Sequence, residues 1–187
     1  MNYDVDKLHK GYVGDFVIQN HLAQNRHWDF RLLFPVTSLK DSLGKYVQNR
    51  HWDKTNEPKV KAEDKSGLVY RSWAIPKHKK PTDKPVLATE TEDHVKEYGK
   101  FEGVIPEGYG AGKVEIYDSG KYTLVDVEYD KKYVFYLNGK KIQGYFALIK
   151  SDGDKFLWIK VKNTDDYKDI KIASNCLKKI AKYIFRI

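Results

Sequence analysis

The sequence predicts an all-β protein, a compact antiparallel β-barrel with short helices. Tyr (14), Phe (8) and Trp (4) are numerous for a chain in which 32% of residues are charged, and aromatic side chains suit the half-buried pleated surface of a sheet. Apolar and polar residues alternate in short runs broken by glycine, the period of two that strands impose. Asn138-Gly139 is a hairpin signal, because both residue types tolerate the positive φ of a tight turn.

Residues 1–15 are polar, with a turn signal at Gly11 and Gly14, and lead into a first strand over 16–20. A tight connection at 21–25 precedes a second strand over 26–34, whose pattern ends at Pro35. Residues 35–66 form a polar, lysine-rich insertion with little periodicity, and loops of that length are either functional or mobile. Inside it, Gln48-Asn49-Arg50-His51-Trp52-Asp53 repeats residues 24–29 letter for letter. The copy reads either as a second ligand set or as a duplication without chemistry, since Lys54-Thr55-Asn56 replaces Phe30-Arg31-Leu32.

Strands are expected again over 68–75 and 86–92, separated by the basic loop Lys77-His78-Lys79-Lys80, which is either a solvated charge run or a phosphate contact. The glycine-rich stretch 104–112 reads as a turn at the barrel lip, or as a phosphate cradle. It is no Walker loop or dinucleotide fingerprint, because no helical run follows. Strands over 113–117, 121–128, 132–137, 142–150 and 156–161 complete a meander, with Asp118-Ser119-Gly120 as one of its turns. At the end the period changes. Ala173, Cys176, Leu177, Ile180, Ala181 and Ile184 fall at helical spacing, predicting a C-terminal helical extension over 170–187 that packs on the barrel or binds a partner or nucleic acid. The whole, 1–187, is read as a single domain.

Lys and Arg outnumber Asp and Glu by 34 to 26, a net charge of +8, which favours a polyanionic partner such as nucleic acid. One cysteine excludes an internal disulfide and a cysteine-based zinc cluster. No apolar run approaches the roughly 18 residues of a membrane span, and the N-terminus lacks a signal-peptide pattern. The expectation is a cytoplasmic monomer with no membrane association.

From residue 26 the alternation puts His27, Asp29 and Arg31 on one strand face and Trp28, Phe30 and Leu32 on the other. With His21 six residues upstream, two imidazoles and a carboxylate make a mixed nitrogen and oxygen set suited to manganese, iron or zinc. Glu92-Asp93-His94 lies at another strand end.

Gln19-Asn20-His21, His27-Trp28-Asp29-Phe30-Arg31-Leu32, Ser72-Trp73-Ala74-Ile75-Pro76-Lys77, Glu92-Asp93-His94, Tyr98, the run 101–112 and Trp158-Ile159-Lys160 occur in an order that resembles the 3'-phosphoesterase domain of bacterial DNA ligase D and its stand-alone archaeal relatives. The resemblance covers about residues 16–167. It implies a manganese-dependent β-barrel enzyme, with Co²⁺ or Zn²⁺ as other candidate metals. Its substrates are 3' ends of DNA primer-template or duplex, from which it removes a terminal ribonucleoside and then a 3'-phosphate to leave a 3'-hydroxyl for repair. His21, His27 and Asp29 take the positions of metal ligands. Arg31 and His94 take those of phosphate-engaging residues, with His94 the candidate general acid, Tyr98 a further essential side chain, and Gln19 and Glu92 supporting polar groups. Ligase and polymerase partners are expected in trans. Three departures stand out: Val86 where the family carries arginine, with Lys84 nearby; no counterpart in 1–15 of the family's N-terminal acid and arginine; and the long insertion. The alternative is a catalytically weak nucleic-acid-binding module that recruits repair partners.

Overall fold

The computed structural model describes residues 3–37, 67–76, 85–108 and 110–161. Nine strands run β1 (Val13–Ala23), β2 (His27–Pro35), β3 (Leu68–Pro76), β4 (Val86–Val95), β5 (Gly103–Ile105), β6 (Gly112–Glu128), β7 (Lys132–Gly139), β8 (Gln143–Asp152) and β9 (Lys155–Val161). Neighbouring strands pair antiparallel in the order β1-β2-β3-β4-β9-β8-β7-β6, and β1 pairs with β6 to close an eight-stranded barrel, with β5 added on β6. Closure removes the free edges that invite aggregation. The all-β barrel expected from the sequence is therefore the observed fold. The 170–187 helix, the 48–53 copy and the 77–80 loop lie outside the described residues, where the one helical element is a 3-10 turn at Lys96–Lys100.

Alternate residues from each strand fill the barrel. Phe16, Ile18, Phe30, Leu32, Phe34, Trp73, Phe135, Phe146 and Trp158 are all at most 1% exposed. Phe30 is near the centre, its ring 4.2 Å from Trp158 edge-on and 5.7 Å from Phe135 stacked. Small barrels are filled by side chains in this way and have no pore. The interior also holds ionisable groups. Arg71 is buried among the rings of Tyr3, Trp73, Tyr133 and Phe156 and donates to Glu90 (2.6 Å) and Asp130 (2.7 Å), so its charge is compensated inside the wall.

The expected turn at Asp118-Ser119-Gly120 is absent, and β6 is one strand of 17 residues. These three residues pair with Ile18, Val17 and Phe16 of β1. The register slips by one residue here, Ile18 facing Asp118 but Gln19 facing Ile116, so the turn-forming residues mark a β-bulge. Asp118 accepts hydrogen bonds from the backbone N–H groups of Ser119, Lys140, Lys141 and Ile142, clamping the β7–β8 hairpin onto the bulge. Gly139 is required there, since a Cβ would meet an Asp118 carboxylate oxygen at 2.3 Å.

Candidate active site

Antiparallel register assembles the site. Gln19 faces Asp29 and His21 faces His27 across β1 and β2, and Arg31 follows Asp29 by one period, so all five side chains leave the outer face of the wall. The rings of His21 and His27 are 4.7 Å apart. Backbone carbonyls orient both imidazoles: Gly110 O is 2.9 Å from His21 Nε2, and Asn25 O is 2.7 Å from His27 Nδ1. The other nitrogens, His21 Nδ1 and His27 Nε2, each face one Asp29 oxygen at 3.4 Å, donating to it when protonated and available as ligands beside it when not. Orientation of a ligating histidine through its other nitrogen is a usual feature of metal sites.

Ligand atoms of His21, His27 and Asp29 all lie within 4.8 Å of one another, and this is the one such group among the described residues. Burial pushes the Asp29 carboxyl up, but the Arg31 charge and the hydrogen bonds of His21 and His27 outweigh it and hold the group well below the usual carboxylate range. Burial lowers the His27 pKa, and Asp29 more than reverses this, leaving it raised. An ionised carboxylate and two oriented imidazoles fit a divalent transition metal with coordination positions to spare.

Arg31 is the hub between this cluster and the rest of the site. It is 2% exposed and donates from Nε to Gln19 Oε1 (2.8 Å), from Nη2 to Asp29 Oδ2 (2.9 Å) and from Nη1 to Ser72 Oγ (2.7 Å). His94 Nδ1 lies 2.9 Å from the same Nη1 and 2.9 Å from Glu92 O. The guanidinium is therefore a bonded junction rather than an open fork. Glu92 itself is exposed and reaches His94 through this carbonyl.

The connection from β4 to β5 covers the junction. Tyr98, on the 3-10 turn, packs its ring 4.4 Å from His94 and 4.8 Å from the Arg31 guanidinium carbon. Gln19 Nε2 donates to the carbonyls of Tyr98 (3.2 Å) and Phe101 (3.0 Å), tying the cover to β1. Gly99 allows the close approach, because a Cβ would meet the Tyr70 ring at 2.4 Å.

The structure thus brings together Gln19, His21, His27, Asp29, Arg31, His94 and Tyr98, with Glu92 at the margin. Sequence reasoning missed Ser72 as a member. Its signal was a small hydroxyl at an outward position of β3, paired with Thr91 and one strand from Arg31. It also missed Gly110 and Asn25, which act through main-chain carbonyls that no side-chain pattern reveals. Val86 is buried in the main core opposite Trp158, so the position where a family arginine was expected holds no cation. The N-terminal segment reaches the neighbourhood from inside: Tyr3 OH is 2.6 Å from Asp93 Oδ1, next in sequence to His94.

Fold and site together define a closed β-barrel with a histidine–aspartate cluster and a buried Arg–His pair on its outer wall. Comparison with known proteins gives that class its family. The family model described as the DNA Ligase D 3'-phosphoesterase domain matches residues 47–150. The multifunctional non-homologous end joining protein LigD of Mycobacterium bovis is 37% identical over 168 residues, 85% of this chain and 18% of that protein. LigD proteins of Mycolicibacterium smegmatis (32% identity, 79% of this chain, 17% of the relative) and Pseudomonas aeruginosa (33%, 66% and 19%) are similar in the same way. The chain belongs to the DNA ligase D 3'-phosphoesterase domain family, and it spans about a fifth of the length of these relatives. The family match opens one residue before the second Gln-Asn-Arg-His-Trp-Asp copy, which is flanked by Lys45 and Thr55 where the first has His21 and Arg31. Among the described residues no helix is long and apolar enough to cross a membrane.

Proposed function

We propose that this chain is a metal-dependent phosphoesterase acting on DNA 3' ends. It removes a 3'-phosphate, and a 3'-terminal ribonucleoside where one is present, to leave a 3'-hydroxyl for a polymerase or ligase in double-strand break repair. The observation that carries the reading is that one carboxylate, Asp29, sits between the two histidines and Arg31, which brings the candidate metal ligands and a phosphate-binding cation to one point.

His21, His27 and Asp29 would hold the metal, manganese being the first choice and cobalt or zinc the others. When bound, the metal supplies Lewis-acid stabilisation of phosphate oxygens and an activated water. The chain's own residues do the rest. Arg31, fixed by Gln19, Asp29 and Ser72, presents positive charge to the phosphoryl group without reorganising as negative charge develops. The 3'-oxygen is a poor leaving group, so an acid must protonate it. With Nδ1 accepting from Arg31 Nη1, the His94 proton lies on Nε2, which offers it as that acid. Tyr98 packs against the imidazole with its ring tilted 53° to it, and the net charge of +8 favours the polyanionic substrate.

The test is a 5'-labelled duplex primer with a 3'-phosphate, incubated with folded protein and Mn²⁺. Release of phosphate that disappears in His21→Ala is expected, with His94→Ala slowed about 10²-fold or more. Absence of release with Mn²⁺, Co²⁺ and Zn²⁺ alike overturns the reading.

A further inference from the structure

Trp28 lies between His27 and Asp29, so its side chain leaves the opposite face of β2, at the barrel mouth beside the β1–β2 turn. Tyr117 is the extra residue of the β6 bulge, and bulges re-aim side chains. Its ring meets Trp28 edge-on at 4.9 Å, and Lys141 Nζ sits 4.4 Å from its centroid. This grouping is held in place, because the Asp118 clamp bonds the backbone of Lys141 itself at 3.0 Å. A plug for the barrel would be apolar and fully buried. Here both rings are half-buried, and Lys140 and Lys141 are exposed. Trp28 Nε1 and Asn20 Oδ1, on directly paired residues, are buried without hydrogen-bond partners, so the wall beneath the rings is polar rather than a sealed apolar plug.

We propose that Trp28, Tyr117 and Lys141 form a stacking subsite for an unpaired base of the DNA strand that the outer-wall site processes; this rests on the DNA substrate proposed above. Partly exposed rings with an adjacent ammonium bind bases by stacking, which tolerates any sequence, while the cation meets the neighbouring phosphate. The geometry also sets the path. His27 and Trp28 are consecutive, so a strand leaving the metal cluster crosses the β1–β2 tip and reaches the platform on the other face of the same strand.

The experiment uses the full chain carrying His94→Ala without added metal, to suppress turnover, and single-stranded oligonucleotides ending in 3'-phosphate with 2-aminopurine at each of the last four positions in turn. Stacking predicts that the fluorescence of one position is quenched on binding and that Tyr117→Ala abolishes this quench. Lys141→Glu, a change at an exposed side chain, should weaken binding at least about fivefold, the lower end of what one stacked base contributes. Lys131→Glu, the same charge change at the other end of β7, should weaken it less. The subsite is overturned if no position is quenched, if the quench survives Tyr117→Ala, or if the two lysine variants bind equally. Binding without position-specific quenching removes the subsite alone, whereas failure to bind any oligonucleotide removes the proposed substrate with it.

Discussion

Asp29 Oδ2 accepts a hydrogen bond from Arg31 Nη2 at 2.9 Å while the same oxygen lies 3.4 Å from His21 Nδ1, so one carboxylate neutralises the buried arginine and serves the histidine pair. Removing it leaves Arg31 buried and uncompensated. Asp29→Ala should therefore destabilise the fold by about 3–5 kcal/mol and abolish activity. His27→Ala, at a half-buried rim position, should abolish activity at much smaller cost. Chemical denaturation of both variants checks the contrast, and equal destabilisation would count against Asp29 as the counter-ion.

Arg31→Lys should behave as a loss rather than a conservative change. A single ammonium cannot reproduce donations to Gln19, Asp29 and Ser72 from a planar fork. The expected result is a fall of about 10²-fold or more in phosphate release, measured on the 3'-phosphate primer, with the KM effect smaller than the kcat effect.

Protons should compete with the metal at His27. Asp29 raises its pKa above the ordinary 6.5, and only the neutral imidazole ligates. Mn²⁺ affinity, read by calorimetry, should fall as pH is lowered from 8 to 6, and this pH dependence should be weaker in His27→Ala. A metal affinity flat across that window would exclude His27 as a ligand.

Asp93 predicts a pH effect of opposite origin. Burial pushes its carboxyl up to about 7, partly opposed by Tyr3 and Arg71. A raised carboxyl favours the neutral form in the folded chain, so its stabilising contribution is complete below about pH 4 and is lost as pH rises through 7. Asp93→Asn, which still accepts from Tyr3, should flatten the fall in unfolding free energy between pH 5 and 8 and be the more stable protein at pH 8. Parallel profiles for the two proteins would refute this.

Gly99→Ala tests the cover. The added methyl meets Tyr70 at 2.4 Å, which should cost about 1–3 kcal/mol and displace Tyr98 from His94. Activity should fall with little change in oligonucleotide affinity. The second Gln-Asn-Arg-His-Trp-Asp copy supplies a control in the same assays: His51→Ala should leave phosphate release unchanged, and a loss equal to that of His27→Ala would make the copy part of the site.

Much of this was legible in the sequence because strands carry their pattern locally. Alternation from residue 26 determined which side chains of β2 share a face, and the aromatic content and turn residues determined an all-β barrel. Asp118-Ser119-Gly120 misled for a physical reason: the residues that make turns also make bulges, and only pairing with both β1 and β7 shows which has formed. The site was legible as a set of residues and not as an arrangement. His21 and His27 meet because β1 and β2 pair in one register, and Arg31 is a junction because Ser72 and His94 arrive from strands 41 and 63 residues away. Carbonyls such as Gly110 O have no side-chain signature. The chain by itself determined which groups were available; closure of the barrel decided which of them touch, because cross-strand contacts depend on register and sequence shows the period without the pairing.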